Sequence, residues 1–483
     1  MTDHRLFIDG RWEDGASSRE IRSPFSGSVV ARCAQASPDQ MERALAAAHV
    51  SGKSFRKISR YGRSRLLSAM ARGLESRRAE ISSSIVAEAG KPLTLADGEI
   101  SRAIVTFTIA AEEAKRLGGE VVPVDVDAAG RAYEPAVSHW VPRGPVLAIA
   151  PFNFPLNLIA HKVAPALAVG ASVIVKPPPQ APGAAKIMAE IFAAAAVEAS
   201  DAREKIPSAA LQVVNGPNDV IGLAVADSRV SILSFTGSDK VGWMLQEKAA
   251  RKKLILELGG NAAVVVEADA DLARAASRCA FGSFAYAGQV CISVQRILVQ
   301  RGAVERFTEL LLAETAKIKS GDPARADVLV GPLIDVAAAD RVMSWIDEAR
   351  RDGAKVLCGG TRVGNVIAPT ILTGVRPTAK LSCEEAFGPV ATVDVYGALD
   401  EAVAAVNSSR FGLQAGLFTG AAAAIRRAAE ELEVGGLMIN EVPTYRADNL
   451  PYGGVKDSGL GREGVRYAME EYCERRTVVA WRG

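Results

Sequence analysis

The sequence predicts an α/β protein: a doubly wound parallel sheet, then a second α/β unit, and a small β segment belonging to neither. Three observations predict it. Short β-branched runs alternate with longer helical runs from Pro145 to Gly260, a similar alternation follows from Ala262, and two strand-like stretches, 120–141 and 476–481, fit neither series. Apolar strands alternating with helices pair in parallel, with helices on both faces. Such sheets place ligands at the carboxyl ends of their strands.

In the first series, 146–150, 172–176, 211–214, 230–235 and 254–257 read as strands, and 156–169 (ended by Gly170), 183–199, 219–226 and 239–250 as helices. In the second, 262–267 and 296–300 read as strands, 272–284 and 304–319 as helices, and 355–358, 391–395, 414–418 and 436–440 as later strands. The change at Gly259-Gly260 marks a domain junction, and the residues before 120 read as mostly helical, wrapping the first sheet. The segment 120–141 carries Val121, Val122, Val124 and Val126, a turn at Gly130, then Tyr133, Val137 and Trp140. With 476–481 it makes two exposed strands that need a cover. They are expected to pair and form a sheet between subunits; the alternative is an edge hairpin on one monomer.

The chain has 483 residues, 49% hydrophobic and 23% charged, enough for two large domains or three smaller ones around a substantial core. Composition excludes collagen-like, disordered and disulfide-scaffold classes. A net charge of +2, from 57 basic and 55 acidic residues, gives no argument for nucleic acid or for an anionic membrane. Six cysteines without a CxxC pair, and four histidines, form no zinc pattern and no disulfide framework, so no metal is expected and the thiols read as those of a cytoplasmic protein. The opening MTDHRLFIDGRWEDG lacks the basic-then-apolar order of a secretory signal, and no apolar run is long enough for a membrane span.

Several residues are placed for chemistry. Cys291, in Gly288-Gln289-Val290-Cys291-Ile292-Ser293, follows a glycine that permits unusual backbone angles; it suits a nucleophile with neighbouring amides for an oxyanion, or else a buried small hydrophobe. Glu257 ends a strand before Leu258-Gly259-Gly260, where burial would raise its pKa as a general base, or where it caps or pairs structurally. Asn153, in Pro151-Phe152-Asn153-Phe154-Pro155, can donate to an oxyanion or serve as a turn residue. Lys176 ends a strand and faces the crevice, suited to ribose hydroxyls or phosphate. Phe235-Thr236-Gly237-Ser238 lies at a strand-to-helix turn whose free amides suit a pyrophosphate, Ser238 being equally a plain N-cap. Gly459-Leu460-Gly461-Arg462-Glu463-Gly464 matches GxGxxG literally but has no βαβ context, and is rejected as a dinucleotide fingerprint.

Taken together and in order, these segments resemble the NAD(P)-dependent aldehyde dehydrogenase superfamily. Pro151–Pro155 looks like its oxyanion-asparagine motif, Val175-Lys176-Pro177 its adenosine-ribose lysine segment, and Phe235–Ser238 its cofactor turn. Leu256-Glu257-Leu258-Gly259-Gly260 resembles the general-base motif, Gly288-Gln289-Val290-Cys291 the nucleophile motif, Glu384-Glu385-Ala386-Phe387-Gly388-Pro389 the nicotinamide-ribose segment, and 451–459 the C-terminal loop. The resemblance implies a Rossmann-like cofactor-binding domain (1–123 and 142–258), a catalytic domain (259–450) and oligomerisation strands (124–141 and 470–483) of a homodimer or homotetramer. It implies oxidation of a small aldehyde to a carboxylic acid through a thiohemiacetal and thioester on Cys291, with Asn153 and the Cys291 amide on the oxyanion and Glu257 activating water. It also implies cofactor contacts by Pro151, Phe152, Lys176, Gly216, Phe235, Gly237, Ser238, Leu258, Gly259, Glu385 and Phe387.

There are departures. Many NAD-preferring members carry a glutamate three residues after the lysine; here that residue is Pro179, so NADP is expected to be accepted beside NAD. Phe152 replaces a commoner tryptophan, and Val290 stands where some enzymes for phosphorylated or phosphonate aldehydes have arginine. Arg102, His161 and Arg446 form a candidate anion clamp, each being alternatively structural. The lactaldehyde, non-phosphorylating glyceraldehyde-phosphate and semialdehyde branches are nearest in character. The rival readings are a coenzyme A-acylating enzyme, against which Glu257 speaks, a non-enzymatic member, and a cysteine acyl hydrolase without nicotinamide, which lacks a convincing histidine.

Overall fold

The computed structural model describes residues 2–482; residues 1 and 483, which end the first and last predicted segments, lie outside them. Its centre is a sheet whose five parallel strands are β1 (Val146–Ile149), β2 (Val173–Lys176), β3 (Leu211–Val213), β4 (Ile232–Thr236) and β5 (Lys253–Glu257). Their spatial order is β5-β4-β1-β2-β3. The chain leaves β1 toward one edge and returns to β4 on the other side, so the crevice between the carboxyl ends of β1 and β4 is the topological switch point.

Helices α1 (Asn157–Val169), α2 (Gly183–Ala199), α3 (Asn218–Ala226) and α4 (Asp239–Lys248) follow the first four strands. Every residue of α1 is buried, because the helix lies between this sheet and an outer layer that includes helix Leu93–Arg116. A helix with no wet face reads as apolar all round.

The second sheet has seven strands. Its parallel members are β6 (Ala262–Val266), β7 (Val294–Gln300), β8 (Thr370–Thr373), β9 (Val390–Tyr396), β10 (Gln414–Phe418) and β11 (Gly436–Ile439), with Lys355–Cys358 antiparallel at the edge beside β8. Strand β8 was not anticipated.

Three points depart from expectation. The residues before 120 are mostly helical, as four helices between Pro38 and Arg116, but five short strands precede residue 36. Leu6–Ile8 joins the first sheet antiparallel to β3 and turns back through Asp9-Gly10 into Arg11–Glu13. An Asp-Gly dipeptide between short apolar runs is a hairpin signal that the helical reading passed over. Val124 and Val126 are not in a strand, since Pro123 ends Glu120–Val122 by withholding an N–H. Glu120–Val122 itself, placed above with the first domain, pairs with Ala136–Pro142.

The two outlying segments do pair. Cys473–Val478 runs antiparallel to Ala136–Pro142, from Cys473 opposite Pro142 to Val478 opposite Val137, making a three-stranded sheet with Glu120–Val122. Val121, Val137, Val478, Val479 and Trp481 on and around it are exposed. Among the described residues no helix is long and apolar enough to cross a membrane.

Candidate active site

The site lies where the first sheet's carboxyl edge faces the second. A cavity of about 600 Å³ is lined by Pro151, Phe152 and Asn153 after β1, by Gly237 and Ser238 after β4, by Glu257, Leu258 and Gly259 at the end of β5, and by Cys291, Glu385 and Phe387 from the second unit. Residues far apart in sequence thus share one chamber.

Cys291 sits on a turn of unusual backbone. Tyr286, Ala287 and Gly288 have φ of 53°, 53° and 67°, three consecutive left-handed residues. A side chain at Gly288 would strike the Gly388 carbonyl, so only glycine fits there. The sulfur, half-buried, lies 3.2 Å from the Tyr452 hydroxyl. Burial pushes its thiol up to about 12, with the Tyr452 hydrogen bond pulling the other way. The Cys291 backbone N–H makes no hydrogen bond among the described residues.

Asn153 is held from two sides. Its Nδ2 donates to the Gln289 carbonyl at 3.0 Å, leaving its second N–H uncommitted, and its own carbonyl accepts from Lys91 Nζ at 2.9 Å. Lys91, fully buried, pairs with Glu99 at 2.6 Å. Glu99 in turn accepts from the Leu156 and Asn157 amides, at 2.8 and 3.0 Å, and so caps the start of α1. Burial brings the Lys91 ammonium down to about 8 although Glu99 supports its charge.

Glu257 is buried and neither of its carboxyl oxygens has a hydrogen-bond partner. Burial, then the neighbouring Glu463 charge, holds it well above the usual carboxylate range, with Arg446 and Lys162 opposing. Glu463 goes the other way: against its own desolvation, Lys162 at 2.8 Å and Arg446 at 3.2 Å keep it ionised. Two adjacent carboxyls pushed in opposite directions mark an acid/base assignment, Glu257 being the one that holds its proton more tightly.

Lys162, Tyr452 and Glu463 were missed in the sequence. Lys162 was the one charged residue inside an otherwise apolar helical run, a usable signal. Glu463 lay inside the rejected GxGxxG match, whose first two residues, Gly459–Leu460, form a short strand on β5.

Glu385 accepts from the Gly260 amide at 3.0 Å, and burial pushes its carboxyl up to about 7. A Cβ at Gly259 would stand 2.7 Å from Glu385 Oε2, so that glycine keeps the carboxylate seated. Phe152 and Phe387 meet edge to face at 6.0 Å on the wall beside it. Ser238 precedes α4 without a side-chain cap bond, leaving the helix's first amides open to an anion. A flat heteroaromatic ring, a ribose and a pyrophosphate fit this sequence of aromatic wall, carboxylate and helix start.

Not every candidate lines the cavity. Lys176 and Gly216 lie at the carboxyl ends of the neighbouring strands β2 and β3, outside its wall, and the Phe235 ring is core, packed against Gly237. Burial, then Arg19, brings the Lys176 ammonium down to about 8. Arg102 and His161 converge on Asp448, Arg102 through two bonds of 2.7 and 3.2 Å and His161 at 2.8 Å. Arg446 makes no bond to Asp448; it pairs with Glu463 and stacks 3.7 Å over the Tyr452 ring, with its Nε unpartnered.

The aldehyde dehydrogenase family profile matches residues 12–478. The chain belongs to the aldehyde dehydrogenase family. It is 41% identical to the 3-sulfolactaldehyde dehydrogenase of Priestia aryabhattai over 99% of this chain and 98% of that protein. It superposes with a TM-score of 0.95 on aldehyde dehydrogenase 21 from Physcomitrella patens in complex with the reaction product succinate, at 36% identity over 99% of this chain and 98% of that one. The TM-score is also 0.95 with NADP-dependent glyceraldehyde-3-phosphate dehydrogenase from Bacillus halodurans complexed with NADP, at 32% identity over the whole of both chains. The enzyme oxidises aldehydes to carboxylic acids with NAD(P)+, and the coenzyme A-acylating and hydrolase alternatives are not favoured.

Proposed function

We propose that Cys291, Asn153 and Glu257 carry this oxidation, and that the substrate is a short hydroxyaldehyde bearing an anionic group. One observation supports the first part above all: the half-buried sulfur, an uncommitted Asn153 N–H and an unpartnered Glu257 carboxyl open into one cavity.

The Cys291 thiolate adds to the aldehyde carbon. Asn153 Nδ2 and the unpaired Cys291 amide hold the oxyanion that develops. A nicotinamide held beside Cys291 would supply the hydride acceptor that turns the thiohemiacetal into a thioester. Glu257, ionised at this stage, takes a proton from the water that attacks the thioester, and the acid departs while Cys291 recovers its sulfur. Pro151, Phe152, Leu258, Gly259 and Phe387 would wall the ring, Glu385 would hold its ribose, and Gly237 and Ser238 would receive the pyrophosphate. Lys176 and Gly216 extend the same edge toward the adenosine.

Pro179 puts no carboxylate beside the adenosine ribose, which supports use of NADP+ as well as NAD+. Changing Pro179→Glu is expected to lower kcat/KM with NADP+ by about tenfold while sparing NAD+. For the substrate, Arg446 supplies a buried guanidinium with a free Nε, and the sulfolactaldehyde-oxidising relative supports a sulfonate or carboxylate rather than a phosphate, as Val290 does. Arg102 and His161 are engaged with Asp448 outside the cavity's lining. A panel of neutral, carboxylated, sulfonated and phosphorylated aldehydes, followed by reduced-nicotinamide absorbance, tests this. Equal kcat/KM for neutral and anionic members defeats the anionic reading, and full turnover by Cys291→Ala defeats the catalytic one.

The exposed valines and Trp481 around the three-stranded sheet support a homodimer or homotetramer built across it, and six unpaired cysteines support a cytoplasmic setting. The domains then run 1–119 with 143–258, 259–450, and 120–142 with 470–483. Light scattering of the purified protein reads the assembly, and a monomer counts against it.

A further inference from the structure

Tyr452 has no part in the scheme above, yet its hydroxyl touches the reacting sulfur. Its backbone is pinned by paired hydrogen bonds with Glu463, Tyr452 N–H to Glu463 O at 3.0 Å and Glu463 N–H to Tyr452 O at 2.7 Å. Its ring is buried against Ile292 and Leu413, with the Arg446 guanidinium 3.7 Å from its centroid. Ring and backbone therefore fix where the hydroxyl points. A phenylalanine would fill the same space and keep the same stack, so packing explains every atom of this side chain except the oxygen. A buried tyrosine hydroxyl needs a partner, and this one uses the Cys291 sulfur, 3.2 Å away.

We propose that Tyr452 is a catalytic residue: its hydroxyl donates a hydrogen bond to Cys291 Sγ and stabilises the thiolate that attacks the aldehyde. The proposal rests on the assignment of Cys291 as nucleophile. Burial, then the sulfur's own charge, holds the phenol well above its usual range, so it stays a donor while the sulfur ionises. Arg446 over the ring draws electron density from the phenol and sharpens that donation. The charged groups facing the sulfur are Glu257 from β5, Glu385 from the loop before β9 and Arg446 from the loop after β11; the two carboxyls raise the thiol and Arg446 lowers it. None of them changes when only the hydroxyl is removed.

A hydrogen bond to a thiolate lowers its pKa and its intrinsic nucleophilicity together, and the second falls only about half as steeply as the first. One pH unit of stabilisation gives about ten times more thiolate at neutral pH, each about threefold less reactive, for a net gain of about threefold. The bond therefore helps below the thiol pKa and hinders above it.

The test is the rate of iodoacetamide alkylation at Cys291, read by peptide mass spectrometry from neutral to strongly alkaline pH on the full-length protein. It compares wild type, Tyr452→Phe, and protein with 3-fluorotyrosine at position 452, a more acidic phenol of almost the same size. Tyr452→Phe is expected to move the inflection up by about one pH unit, lower the neutral-pH rate about threefold and raise the alkaline plateau about threefold, so that the two curves cross. 3-Fluorotyrosine moves the inflection down and decides the matter alone should Tyr452→Phe not fold. Superimposable curves overturn the proposal. Cys291→Ala separates the two levels: if it keeps aldehyde oxidation the nucleophile assignment fails, whereas if it is inactive and the curves still superimpose, only the role of Tyr452 fails.

Discussion

Two buried charged clusters lie under this site, and they are built differently. Beneath Asn153, Lys91 and Glu99 form a closed set: one cation, one anion, and backbone groups taking up the remaining bonds. Beneath Glu257 and Cys291 the set is open. Lys162 and Arg446 share the single ionised carboxylate of Glu463, Arg446 Nε has no partner, and Glu257 has none for either oxygen. Buried polar groups are normally satisfied. The cluster that satisfies its members shapes the loop, and the one that leaves them wanting faces the reactants.

This contrast is best broken by exchanging one charged residue in each cluster for a neutral one. Glu257→Gln is expected to slow acid release about a thousandfold, read as turnover, with the thermal midpoint unchanged or raised, because the lost carboxyl had no bond to lose. Lys91→Met is expected to act the other way round, costing about 3 kcal/mol in denaturant melts by stranding Glu99 in the interior. If Glu257→Gln destabilised the protein as much as Lys91→Met, the distinction would be wrong.

The open cluster also sets the direction of two pH effects. Glu257 has its folded pKa raised above 4.5, so its contribution to stability is full below pH 4.5 and declines as pH rises through the folded value, by about 1.4 kcal/mol per unit. Turnover moves oppositely and climbs as the base loses its proton. Glu257→Gln should flatten both slopes, checked by melting curves and by kcat against pH.

The smallest expected effect lies at the cavity's outer rim. There Arg410 bonds Asp239, Glu384 and Asp457 and is about a third exposed. Arg410→Gln frees three carboxylates beside the helix start that faces the pyrophosphate, and should weaken dinucleotide binding about threefold by fluorescence titration, less at high salt.

What was legible in the sequence follows the same division. The parallel strands were readable because each is an apolar run buried on both faces, as in Val146–Ile149. Cys291, Glu257 and Asn153 stood out because each follows or ends a recognisable strand or turn. The Leu6–Ile8 strand was overlooked because three residues carry too little periodicity to outweigh the helical stretch behind them. The Lys162–Glu463 pair spans 301 positions, and no local pattern announces a bond of that reach. Tyr452 was visible as a letter in the C-terminal loop, but only the folded register with Glu463 aims it at the sulfur.

The wrong-handed stretch at Tyr286, Ala287 and Gly288 carries a last consequence. Two of the three are ordinary L-residues held in a conformation that costs on the order of 1 to 3 kcal/mol each. An isolated peptide of this sequence would relax at once and turn the cysteine elsewhere. The reactive sulfur is therefore not portable with its neighbours: grafting Gly288–Cys291 onto another scaffold would transfer the spelling of the motif without the surrounding interior that keeps it wound.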